Sequence, residues 1–273
     1  MAMGGSIVWL ANSAVGSSVD TDAQAFFTVS GVTDTTQKNA TNQLAKDLKI
    51  NGTWNKYDVI YPLVGGDAAK HSYNLKNPAN FQIAWGGTVT HDANGITGSS
   101  NGFGNTGYNP SINATLGNSH ISVYCRTDKA AANQVEMGAI VYDGTNDSSW
   151  SEWGMQLKSA TGDFYGYIIA GSFAGYHFVT NPDSRGYFAT ARADTSNIRV
   201  FRNNTKVIDL PQQQSFLINS PIKLLCTAFN GVNERHSLVN LALVTIGQNL
   251  TDSEVVADRA AFQAFQTTLG RQV

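Results

Sequence analysis

The stretch NIRVFRNNTKVIDL, Asn197 to Leu210, decides the fold. Two strand-like runs flank Asn203-Asn204, and asparagine tolerates the positive φ that a two-residue hairpin turn demands. An antiparallel hairpin is therefore expected here.

The same kind of text extends outward over residues 70 to 247. It reads HSYNL, FQIAWGGTVTHD, HISVYCRT, VEMGAIVYDG, EWGMQLKS, DFYGYIIAGS and RGYFATARA before the hairpin, and PIKLLCTAFNG and LVNLALVTIG after it. Gly, Asn, Asp and Pro punctuate these runs, which is the pattern of a two-sheet antiparallel sandwich. No helical pattern intervenes, so parallel βαβ units are excluded. The polar stretch at 91–111, HDANGITGSSNGFGNTGYNPS, reads as a long surface loop.

Helical signals are confined to the two ends. Asp20 or Asp22 can cap a first helix, AQAFFTVSG. Thr33 or Asp34 can cap a second, TTQKNATNQLAKDLK, in which Ala40, Leu44 and Leu48 share one face. Pro62 and Gly65-Gly66 then close an apolar run, so helices are expected to give way to strands near residue 70. After the last strand, Thr251 or Asp252 can cap a helix, Glu254 can close a capping box with Thr251, Val255, Phe262, Phe265 and Leu269 make a stripe, and Gly270 can end the helix. The expected organisation is an N-terminal arm over 1–19, a helical lead-in over 20–69, and a sandwich with a C-terminal helix over 70–273. The fold class is mainly β.

Composition narrows the function. The 273 residues include 26 glycines, 10% aromatics and only 14% charged residues, with 18 Lys plus Arg against 20 Asp plus Glu. Such a balance makes no field that would gather nucleic acid or an anionic membrane. The apolar run IVWLA near the N-terminus is too short for a signal peptide or a membrane span, so synthesis in the cytoplasm without export by that route is expected. Cys125 and Cys226 each sit in an apolar run and read as buried thiols, with a disulfide left open. No Cys/His spacing suggests zinc, and no cofactor is implied.

The hairpin IRVFRNNTKVI, with an aromatic before the turn, and the closing LALVTIGQNLTDSEV resemble the corresponding parts of concanavalin A-like lectin/glucanase and laminin G-like jelly rolls. The helical lead-in, the W-x-x-x-x-x-I-Y-P-L-V-G-G run, NLKNP and the terminal QTTLGRQV resemble the version of that fold in tailed-bacteriophage structural proteins. The second resemblance covers residues 20–273. It implies a virion subunit, made in the host cytoplasm, of the fibre, spike or decoration kind. Its implied partners are other virion proteins, copies of itself and a host-surface glycan.

Chemistry is sparse. The glucanase branch of the fold carries its carboxylates on one strand as E-x-D-x-E, and this sequence has no such run. Glu136 and Glu152 lie on different strands. Calcium at Asp143 and Asp147 is conceivable, but solvated turn aspartates are the better reading. The five histidines, His71, His91, His120, His177 and His236, read as surface or strand-end residues.

What remains is aromatic recognition. In SSWSEWGMQLKS alternation puts Trp153, Met155 and Leu157 inside and Trp150, Glu152 and Gln156 outside. The same parity turns Tyr124 and Arg126 outward. It separates Tyr165 and Tyr167 from Phe164 and Ile168 without deciding which pair is inside. A row of Trp150, Glu152, Gln156, Tyr124, Arg126, Tyr165 and Tyr167 would combine flat rings for stacking with polar groups for hydroxyls. A cover of helices or a neighbouring subunit explains outward aromatics equally well. The leading expectation is a non-enzymatic virion subunit. Its alternatives are a stand-alone carbohydrate-binding module and a glycan hydrolase working through Glu152 or Glu136.

Overall fold

The computed structural model describes residues 18–142, 144, 149–170 and 177–273. The expected arm lies outside them except for its last two residues, and so do Asp143 and Asp147 with the calcium reading placed on them.

Helix α1 (Thr21–Ser30) begins where the Asp20 carboxylate takes the amides of Asp22 and Ala23. Asp34 caps α2 (Thr35–Ile50) through the Gln37 amide, and Ala40, Leu44 and Leu48 are buried on its inner stripe. Strands start sooner than residue 70, because β1 (Tyr57–Tyr61) already pairs with the last strand of the chain. The run HSYNL is no strand. Asp67 caps the single turn α3 (Ala68–His71) through the Lys70 amide, and buried Asn74 accepts from the Ile60 amide.

The loop expected at 91–111 is built instead of short strands: β2 (Ala84–Gly86), β3 (Thr90–Asp92), β4 (Gly95–Thr97) and β5 (Phe103–Asn105), followed by the turn α4 (Pro110–Asn113). Glycine makes this pairing feasible. A Cβ on Gly98 would run into the Ser237 carbonyl, and one on Gly102 into that of Thr88. The long strands are β6 (Ser119–Cys125), β7 (Met137–Val141), β8 (Ser151–Gln156), β9 (Asp163–Ala170), β10 (Phe178–Thr180) and β11 (Gly186–Arg192). The hairpin β12 (Asn197–Arg202) and β13 (Thr205–Pro211) turns at Asn203, whose φ is 52°. The remainder are β14 (Lys223–Leu224), β15 (Thr227–Phe229), β16 (Val232–Glu234) and β17 (Asn240–Gly247), before α5 (Asp252–Thr268) with its Thr251–Glu254 capping box.

The strands form two sheets. The first runs β13-β12-β11-β6-β17-β4-β3, with β1 also on β17, and the second runs β10-β9-β8-β7-β14-β5-β2, with β15 and β16 attached through β7. Pairing between named strands is antiparallel except where β15 meets β7. One apolar core lies between the sheets, and includes Ile121, Val123, Trp153, Phe164, Ile168, Phe188 and Val244. A second lies between the outer face of the first sheet and the helices, where Tyr57, Tyr124, Tyr187 and Leu243 meet Phe26, Leu48, Phe262 and Phe265. The first sheet is thus covered on both faces, so β6 and β11 are buried at every position. A bulge between Leu241 and Leu243 lets Ala242 and Leu243 both join the helical core.

Cys125 and Cys226 are buried free thiols. Two of the histidines depart from the surface reading. His71 is 1% exposed and His120 is 0% exposed, the latter hydrogen-bonded to Thr245 and set edge-on against the Tyr57 ring.

Candidate functional site

The orientation of β9 follows from one glycine. A Cβ on Gly166 would meet Thr190 and Val200 of the first sheet, so Gly166 faces inward. Alternation then turns Tyr165 and Tyr167 to the outer face of the second sheet. Register carries the assignment to β8, where Gln156 stands opposite Tyr165, Gly154 opposite Tyr167 and Glu152 opposite Ile169. A Cβ on Gly154 would crowd the Met137 carbonyl of β7 at 3.0 Å.

These residues surround a cavity of about 290 Å³. Glu152 and Gln156 line it from β8, Tyr165 and Tyr167 from β9, and Arg235 and Asn133 from two loops. The tyrosine rings lie 5.7 Å apart with 33° between their planes. Phe178, on the edge strand β10 and 55% exposed, extends this row with its centroid 5.3 Å from that of Tyr165. Gln156 Nε2 donates to Asn133 Oδ1 at 3.2 Å and to the Ala132 carbonyl at 3.3 Å, which holds its amide at the rim.

Glu152 is 5% exposed. Burial pushes its carboxyl up to about 7, against the opposing pull of the Arg235 charge and of the hydrogen bond from Trp150. Trp150 Nε1 donates to Glu152 Oε2 at 3.3 Å. The indole itself is half-buried, packed beside Tyr142 at 5.1 Å and Phe229 at 6.4 Å. Trp150 therefore supports the acid and does not line the cavity as a platform.

The expected single row divides between the two sheets. Glu152, Gln156, Tyr165 and Tyr167 come together, with Trp150 behind them. Tyr124 and Arg126 belong to the first sheet. They do point outward, but the C-terminal segment covers them. Tyr124 is 0% exposed, donates to Gln263 Oε1 at 3.1 Å and accepts from the Val273 amide at 3.0 Å. Arg126 Nε donates to the Arg271 carbonyl at 2.8 Å. Neither can meet a ligand in the cavity.

The other acid weighed from the sequence, Glu136, is 0% exposed. Its carboxylate accepts from Lys129 Nζ at 2.6 Å, the Leu157 amide at 2.6 Å and Ser237 Oγ at 2.9 Å, so its hydrogen-bonding capacity is spent on holding loops together. Among the described residues no group of three or more His, Cys, Asp or Glu is placed to hold a metal ion, and no helix is long and apolar enough to cross a membrane. Arg235, Asn133 and Phe178 escaped the sequence reading. Phe178 carried a usable signal, an aromatic in a short run opposite DFY. Arg235 carried none, because long-range pairing, of β15 with β7 and of the Val135 amide with the Arg235 carbonyl, brings its hairpin to this face.

No protein-family model matches the chain, and no curated protein matches it. Solved structures do. A mutant Trypanosoma rangeli sialidase displaying trans-sialidase activity is 7% identical over 80% of this chain and 38% of that one, with a TM-score of 0.52. Domain 4 of AbnA, a GH43 extracellular arabinanase from Geobacillus stearothermophilus, in complex with arabinotriose, is 12% identical over 74% of this chain and 97% of that one, with a TM-score of 0.44. The CBM40 of Ruminococcus gnavus IT-sialidase bound to α2,6 sialyllactose is 14% identical over 59% of this chain and 96% of that one, with a TM-score of 0.42. At these identities the likeness is one of fold.

Proposed function

We propose that this chain is a non-enzymatic, lectin-like carbohydrate-binding β-sandwich whose seat is the cavity on the outer face of the second sheet. The observation that carries the reading is the tilted Tyr165–Tyr167 pair set in one concavity with Glu152, Gln156 and Arg235. Flat apolar rings stack on the C–H faces of a sugar, and planar amide, carboxyl and guanidinium groups bond its hydroxyls. The exposed Phe178 lengthens the platform beyond a single sugar ring. Hydrolysis by paired carboxylates calls for two acids flanking one bond. Glu152 is the one carboxyl among the described residues lining the cavity, which favours binding over cleavage.

The setting we propose is a tailed-bacteriophage virion, with the sandwich displayed on a fibre, spike or decoration subunit and the glycan on the host surface. This rests on the sequence resemblance over residues 20–273. Mass spectrometry of purified particles tests it, and particles that lack the chain would remove it.

The binding reading is tested on a broad glycan array with the full chain. The wild type should give discrete signals that Tyr165→Ala, at the half-buried ring of the pair, weakens and that Trp150→Phe, which takes away the hydrogen bond to Glu152, also weakens. An array on which the wild type is silent would end it.

A further inference from the structure

We propose that the cavity selects carbohydrates that bear a carboxylate, with the Arg235 guanidinium as the group that engages it. The inference rests on the glycan reading and narrows it to acidic sugars.

Arg235 is placed with some insistence. Its backbone is left-handed, φ 53°, a conformation that non-glycine residues adopt rarely and at a cost. It is held there because its carbonyl accepts the Val135 amide at 2.8 Å, tying the end of the β15–β16 hairpin to the chain entering β7. The result is a half-buried arginine on the cavity lining. It shares the lining with Glu152, whose carboxyl feels its charge. Among the described residues no carboxylate forms an ion pair with it, and no acceptor takes a hydrogen bond from its guanidinium. Other arginines show both outcomes: Arg202 and Arg259 each bury an Nε without a partner, whereas others are paired. Arg185 and Arg199 pair with Asp183 and Asp252, and the buried Arg271 donates to the carbonyls of Pro62, Leu63 and Ala242.

A half-buried guanidinium with open donors beside two aromatic rings suits a carboxylate, which it can grip through two parallel hydrogen bonds. Glu152 does not cancel it. Near neutral pH a large share of that carboxyl keeps its proton, so it donates a hydrogen bond where an ionised acid would repel the ligand. A neutral sugar would leave the guanidinium partly desolvated and without a counter-charge.

Calorimetric titration of the full chain tests this with two matched pairs, trigalacturonate against its carboxyl-reduced form and sialyllactose against lactose. The first pair asks for a uronate and the second for a terminal nonulosonate. In at least one pair the acidic member should bind roughly tenfold or more tightly than its neutral partner. Arg235→Asn, chosen because asparagine accepts the left-handed backbone, should erase that preference, and Arg235→Lys should keep part of it. Thermal melting checks that both variants fold. Neutral members binding as tightly as acidic ones would overturn the inference, as would a preference that survives Arg235→Asn. A chain that binds neutral array glycans and ignores both acids would overturn it while leaving the glycan reading intact. A chain that binds no glycan takes both down.

Discussion

On the first sheet the outward row includes Tyr124, Tyr187 and Ala189, and α5 lays Phe262 and Phe265 across it. On the second sheet the outward row is Glu152, Gln156, Tyr165 and Tyr167, and none of α1, α2 or α5 joins the apolar core beneath it. Both rows place tyrosines on the outer surface of an antiparallel sheet by the same alternation. Tyr124 is 0% exposed under its cover, while Tyr167, 6% exposed, and the half-buried Tyr165 line a cavity of about 290 Å³. An outward aromatic is therefore no sign of a site until its cover is known. What separates the rows is the polar retinue. Tyr124 spends its hydroxyl on the C-terminal helix and tail, whereas the second sheet sets amides, a carboxyl and a guanidinium around its rings.

The contrast can be broken most forcefully at Phe262. Its ring is 0% exposed and lies 5.4 Å from that of Tyr187 and 6.4 Å from that of Tyr57. Phe262→Ala should cost about 3–5 kcal/mol in urea denaturation. A loss below about 1 kcal/mol would mean that α5 is not what seals the first sheet.

Glu152 sharpens the contrast through pH. Its folded carboxyl titrates at about 7, above the ordinary 4.5, so the folded state holds the proton more tightly than the unfolded chain does. Stability is then lost as pH rises from about 4.5 through 7, because a charge must be kept in a buried place. Glu152→Gln removes this loss. It should stabilise the protein at pH 8 by on the order of 3 kcal/mol and change little at pH 4. Urea midpoints at the two pH values measure the difference, and an equal effect at both would refute a buried, raised acid.

A smaller effect is expected of Tyr165→Ala, which removes half of the ring pair. Glycan affinity should fall roughly tenfold, with the melting temperature moving little because the residue is half-buried. Unchanged affinity in calorimetry would show that the rings do not stack on the ligand. The smallest is Tyr124→Phe on the sealed face. Loss of its hydroxyl should cost about 1 kcal/mol of stability and leave glycan affinity alone. A drop in affinity would mean that the two faces communicate.

Much of the fold was legible because its signals are local. Asp20, Asp34 and the Thr251–Glu254 box start their helices within three residues, and Asn203 takes its turn where the hairpin text placed it. The misreadings were of pieces that gain order only from distant partners. The segment at 91–111 is polar and glycine-rich, yet Ile96 is 0% exposed because β4 pairs with β17. HSYNL alternates like a strand, but the Asp67 cap takes its start into a helical turn.

The candidate site was legible in part for the same reason. Alternation grouped Glu152 with Gln156 and Tyr165 with Tyr167, and left open which side of β9 faced the core. A Cβ clash across the sandwich at Gly166 decided that. Pairing between neighbouring residues follows from backbone geometry, so the amino-acid sequence alone determined the long strands, the caps, the turn and the alternation of faces along those strands. Which outer face the helices cover, and which arginine lines the cavity on the other, rests on contacts such as that of Tyr124 with Gln263, 139 residues away. No local period encodes a partner at that separation, and only the packing of helices and hairpins onto the finished sheets brings it into place.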